Sequence, residues 1–178
     1  MRLLSFLLLM ATSHMGLSQQ WMTRNGKIEF FSATFVENIE ATNEMASGLL
    51  AADGRFAFRV PILGFRFEKA LMEEHFNENY MESTAYPNGT FEGTIEEWND
   101  ALNDGQWHEV KAVGELTVHG VSIQRSIPSK IQWDGDSWQI QSKFSIATAA
   151  HDIPIPKMVR NKIAEEIAVE VNLSLSPR

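Results

Sequence analysis

The chain has 178 residues, enough for one domain with its own core and short for two full-sized ones. Its formal net charge is −8, and loss of Arg2 with an N-terminal leader takes this to −9, a surface that repels nucleic acid and anionic membranes at long range. Cysteine is absent, which excludes disulfides, thiolate metal sites, a cysteine nucleophile and a lipidated cysteine together.

From the N-terminus, a single positive charge at Arg2 precedes an apolar run from Leu3 to Ala11 and the small residues of Gly16-Leu17-Ser18. This pattern predicts a secretory leader over 1–18 with cleavage near Ser18, a domain over 19–178, and a periplasmic or secreted protein. The run falls short of the ~20 residues a membrane span needs, and no other stretch is apolar enough, so no stable membrane insertion is expected.

Short alternating runs then dominate, broken by Gly, Asn and Asp, and this is an all-β rhythm. Strands are predicted from Ile28, over Ile39 to Leu50, and over Arg55 to Ile62. In the last of these Phe56, Phe58, Val60 and Ile62 share one face and Ala57 and Arg59 the other, with Pro61 ending the ladder. Leu71, Met72, His75, Phe76 and Tyr80 recur at helical spacing and predict a short amphipathic helix. Thr90 to Ile95 alternates again, as do Val110 to Val118, Trp138 to Ile146 and Ile167 to Leu175. Turns fall at Asn103-Asp104-Gly105, His119-Gly120 and Asp134-Gly135-Asp136. Between the last two strands Ile155, Val159 and Ile163 stripe a second short helix that Pro156 could open.

Strands that each present one apolar face must hide those faces together, in a two-sheet sandwich or a closed barrel. A barrel of about eight strands is just wide enough to be filled by side chains or to hold one slender ligand. Gly93, Gly114, Ala112 and Ser142 occupy inward positions where a solid core favours Leu or Ile, which points to a cavity; the alternative is that large neighbours fill the space. Catalytic chemistry has no clear constellation: there is no Gly-x-Ser-x-Gly elbow and no phosphate-cradling loop. His75, His108, His119 and His151 lack metal-ligand spacing, so no metal and no cofactor are expected. One enzyme reading stays open, in which His119 works with Glu115 or Asp152 on a bound lipid. A filled barrel acting through its outer surface is another.

Several spaced motifs resemble one family. Asn77-Glu78-Asn79-Tyr80-Met81-Glu82-Ser83, Tyr86-Pro87 and Thr90-Phe91-Glu92-Gly93 resemble the Asn-Glu-x-Tyr-x-Glu-Ser, Tyr-Pro and Thr-Phe-x-Gly run of YceI-like proteins. Gly26-Lys27-Ile28-Glu29-Phe30 is similar to the start of that family, and Gly114-Glu115-Leu116-Thr117-Val118-His119-Gly120-Val121 to its Gly-x-Leu-x-x-His-Gly-Val signature. The resemblance implies an extended lipocalin-like antiparallel β-barrel with one or two short helices. It also implies export to the periplasm and an elongated apolar tunnel for a polyisoprenoid or fatty-acyl lipid. On this basis and on inward parity, the expected tunnel residues are Phe56, Phe58, Phe91, Leu116, Val118, Phe144, Ile146, Val169 and Val171. His119 and Arg125 are the expected polar contacts near a mouth. The expected role is non-catalytic carriage, sequestration or stress response, with the question of a homodimer left open.

Overall fold

Alternation becomes curvature in the computed structural model, which describes residues 19–178; the expected leader lies outside the described residues. The strands among the described residues are β1 (Gln20–Ala33), β2 (Asn38–Ala51), β3 (Arg55–Pro61), β4 (Arg66–Phe67), β5 (Asn88–Ile95), β6 (His108–Val118), β7 (Val121–Trp133), β8 (Trp138–Ala147) and β9 (Glu166–Pro177). All pair antiparallel. Eight run around a ring in the order β1-β9-β8-β7-β6-β5-β3-β2, and β2 pairs back onto β1 to close it. The two residues of β4 lie outside the ring against Ala41 and Thr42 of β2. Every strand of the ring thus has a paired neighbour on both sides.

Strand alternation sends four connections to one end of the barrel: the β1–β2 turn, the β3–β5 connection, the β6–β7 turn and the β8–β9 connection. The other end is a floor. Trp21, Trp98, Trp133 and Trp138 interlock there with ring centroids 4.9 to 6.2 Å apart, in tilted or edge-on arrangements that suit aromatic quadrupoles. Trp98 reaches this layer from the β5–β6 connection, where its indole N–H donates to the Ala52 carbonyl at 2.9 Å. Leu50, Ile131 and Leu175 are fully buried alongside.

Several local expectations change. β1 begins eight residues before Ile28, at Gln20, and register shifts on either side of Gly26 bend it into the ring. The first helix is shorter than its stripe: α1 (Ala70–His75) passes into a π-helical turn over Phe76–Tyr80. The second helix reduces to one 3₁₀ turn over Lys157–Val159, because Pro154 and Pro156 remove amide donors and fix φ just before it. β7 was not singled out by alternation, and its polar outer face and Pro128 explain why. Pro128 sits where β7 stops pairing with β8: the shared ladder covers only Ser129 to Trp133.

Gly93 and Gly114 do not open the bore as their parity suggested. They stand opposite each other on β5 and β6, and a Cβ on Gly93 would meet the Val113 carbonyl oxygen and lie 2.7 Å from Gly114 Cα. Their missing side chains let two strands approach and bend at a barrel corner.

Candidate functional site

Above the tryptophan floor the barrel encloses a cavity of about 360 Å³. Inward residues of the long strands make its wall, since period-two alternation delivers every second side chain to the same interior. Phe56, Phe58, Phe91, Leu116, Val118, Phe144, Ile146, Val169 and Val171 all line it, each on the face that its parity assigned. Ala112 and Ser142 line it too, and there the absence of bulk does leave room. Near the open end Phe30, Phe65, Phe67 and Phe76 pack ring against ring at 5.1 to 5.7 Å, so that α1 is held over one side of the bore. The ion pair of Arg66 with Glu73, at 3.0 Å, ties the same helix to β4.

Opposite α1 the β8–β9 connection contributes Ile153, Ile155, Val159, Lys162 and Ile163 to the wall. The stripe read as a helix thus faces the cavity with only Lys157–Val159 in a helical turn. Ser32, fully buried in β1, accepts the Ala164 amide at 2.9 Å and pins that connection to the barrel. The most exposed lining residues are His75 on α1 and Lys162, so the cavity opens between these two segments, beside the half-buried Glu37 of the β1–β2 turn. Glu37 is taken up by Lys69 at 3.2 Å. Tyr80 also lines the mouth, and burial raises its phenol above the ordinary tyrosine range, which keeps it a neutral hydroxyl. Sequence reasoning missed Lys162 as a lining cation; the signal was its place within the Ile155, Val159, Ile163 stripe.

The two expected polar contacts lie elsewhere. His119 and Gly120 form the two-residue β6–β7 turn with φ of 51° and 74°, the left-handed geometry such hairpins require. His119 is buried outside the cavity wall: Nδ1 lies 3.1 Å from the His151 carbonyl and Nε2 3.0 Å from a Glu82 carboxylate oxygen, with Tyr86 packed on the ring at 4.5 Å. Its neighbour His151 is fully buried, with Nδ1 3.2 Å from the Val121 carbonyl. The histidines therefore join three connections at the open end into one latch. The carboxylate on His119 is Glu82, not Glu115, which is exposed on β6, nor Asp152, which is exposed after the 3₁₀ turn Thr148–His151. Arg125 spans the gap where β7 and β8 no longer pair, its guanidinium donating to the Ser145 carbonyl at 3.0 Å. It replaces a ladder hydrogen bond and does not line the cavity.

A closed antiparallel ring of eight strands, floored at one end and hollow towards the other, is a lipocalin-like barrel. The chain belongs to the YceI-like family, whose profile, described as the YceI-like domain, matches residues 8–175. Among solved structures it is similar to a polyisoprenoid binding domain from Saccharophagus degradans implicated in plant cell wall breakdown. That match has 14% identity, covers 90% of this chain and 99% of that one, and has a TM-score of 0.78. It is similar also to Burkholderia cenocepacia BcnA, with 15% identity, coverage of 85% and 96%, and a TM-score of 0.71. A Campylobacter jejuni YCEI protein matches with 14% identity, coverage of 78% and 84%, and a TM-score of 0.58. No curated protein matches the chain.

Proposed function

We propose that this protein is a non-catalytic carrier that holds one long apolar lipid tail, isoprenoid or fatty-acyl, inside the barrel with the polar end of the lipid at the mouth. The observation that carries this reading is the apolar cavity of about 360 Å³, blind at its tryptophan end. That volume lies at the lower end of the range for ligand pockets. At roughly 30 Å³ for a water-sized group it takes on the order of ten methylene-sized groups. Burying those contributes roughly 8 kcal/mol at about 0.8 kcal/mol each, enough to offset the cost of association. The Saccharophagus degradans domain that shares the barrel is described as polyisoprenoid binding, which supports the same use here.

The nine aromatic and aliphatic wall residues from Phe56 to Val171 are proposed to grip the tail. Lys162, His75 and the Tyr80 hydroxyl would meet an anionic or hydroxyl head at the mouth. Reading residues 1–18 as a leader assigns this work to the periplasm or the exterior. The test is a fluorescence titration with a dansyl-labelled fatty acid, read by energy transfer from the floor tryptophans and competed with farnesol. Saturable uptake of one probe, displaced by the prenol, is expected; no saturable uptake would overturn the proposal.

A further inference from the structure

Apolar side chains that the core does not use stand on the segments that frame the mouth. Phe35 at the tip of the β1–β2 turn is fully exposed, Val36 beside it is 57% exposed, Met158 in the β8–β9 connection 92%, and Leu71 in α1 60%. Single exposed apolar residues are ordinary. These four, however, come from the same three segments that supply Glu37, His75 and Lys162 to the cavity wall. The Lys69–Glu37 pair ties the turn to the start of α1.

Charge decides what such a rim would meet. Residues 153–164 contain Lys157, Arg160 and Lys162 and no acid, in a chain whose net charge is −8. All three bases are exposed, and none enters an ion pair among the described residues. Exposed apolar side chains on the same rim as unpaired cations are the composition of a surface that rests in the headgroup layer of an anionic bilayer. Exposed acids stand on the α1 side, Glu74 in α1 and Glu78 in the π-helical turn that follows it, so the contact falls on the β1–β2 turn and the β8–β9 connection.

We propose that this rim docks reversibly on a bilayer containing anionic lipid. Phe35, Val36 and Met158 enter the headgroup boundary, while Lys157, Arg160 and Lys162 face the lipid phosphates. A tail then passes between bilayer and cavity without crossing water. The net negative charge of the remainder keeps other faces off the membrane and makes the contact weak enough to break. The proposal rests on the carrier reading for its purpose, but its physical content is separate.

The test is co-flotation of the purified protein with vesicles of phosphatidylcholine, alone or mixed with phosphatidylglycerol. Binding to the mixed vesicles, weakened by salt, is expected. Phe35→Asp with Met158→Asp is expected to abolish it, and Lys157→Gln with Arg160→Gln to weaken it roughly 25-fold, at about fivefold for each charge. None of these four residues lines the cavity, so both double variants are expected to keep wild-type affinity for the dansyl fatty acid in solution. Vesicle binding that persists while fatty-acid uptake is absent supports docking and removes the carrier reading. Failure of the wild type to bind mixed vesicles, or equal binding by all variants, overturns docking. Self-association in the ultracentrifuge that the same substitutions abolish, without vesicle binding, also overturns it and assigns the face to a second copy of the chain.

Discussion

Ala112→Leu separates a hollow barrel from a filled one by the sign of its effect. Ala112 is buried on β6, opposite Ile127 of β7 and Ile95 of β5, and lines the deep part of the cavity. Leucine adds three carbons. If they enter empty apolar space, transfer contributes about 2.4 kcal/mol at roughly 0.8 kcal/mol each, less about 0.5–1 kcal/mol of rotamer entropy. The net gain of about 1.5 kcal/mol corresponds to a rise of roughly 3–6 °C in Tm for a chain of this size. In a filled core the same carbons would cost about 1–3 kcal/mol. Tail binding should move the other way: losing room for about three methylenes weakens it by about 2.4 kcal/mol, on the order of 60-fold. Urea unfolding of delipidated protein and the dansyl titration measure the two quantities. A destabilised variant with unchanged affinity would refute the reasoning.

Gly93→Ala is expected to destabilise by about 1–3 kcal/mol, because its Cβ meets β6 backbone that cannot yield, while the folded fraction keeps its tail affinity; urea unfolding with titration checks both. His119→Ala removes two buried contacts of the latch and the Tyr86 packing, for an expected loss of about 1–2 kcal/mol in calorimetry with tail binding retained. Asp134 accepts the Ser137 and Asp136 amides, which with Gln139 lower its carboxyl to about 2. Its folded value lies below the unfolded 3.8, so this stabilisation is fully present above pH 3.8 and is lost as the pH falls through about 2. Asp134→Asn is therefore expected to lower Tm at neutral pH, with the gap to wild type closing below pH 2; convergence at higher pH, or none, would contradict the assignment.

Period-two alternation made β3, β5, β6, β8 and β9 legible, and with them the nine wall residues, because parity alone decides which side chains share an interior. Ring closure was less local. The pairing of β1 with β9 joins segments more than a hundred residues apart, and no window of sequence contains both. His119 and Arg125 were visible as polar residues near an end of the barrel, but their partners, the His151 and Ser145 carbonyls, are fixed by tertiary position. The two inward glycines show how parity misleads. It names the face a residue occupies and says nothing of how near the next strand comes, which only the register of Gly93 against Gly114 reveals.

The most direct measurement is native mass spectrometry of the delipidated protein mixed with a long-chain prenol or fatty acid. A hollow barrel is expected to gain one ligand mass per chain and to gain none when Ala112→Leu is combined with Val171→Phe, two substitutions in the cavity wall. Equal uptake by wild type and the filled variant, or no uptake by either, would contradict a tail held inside the barrel.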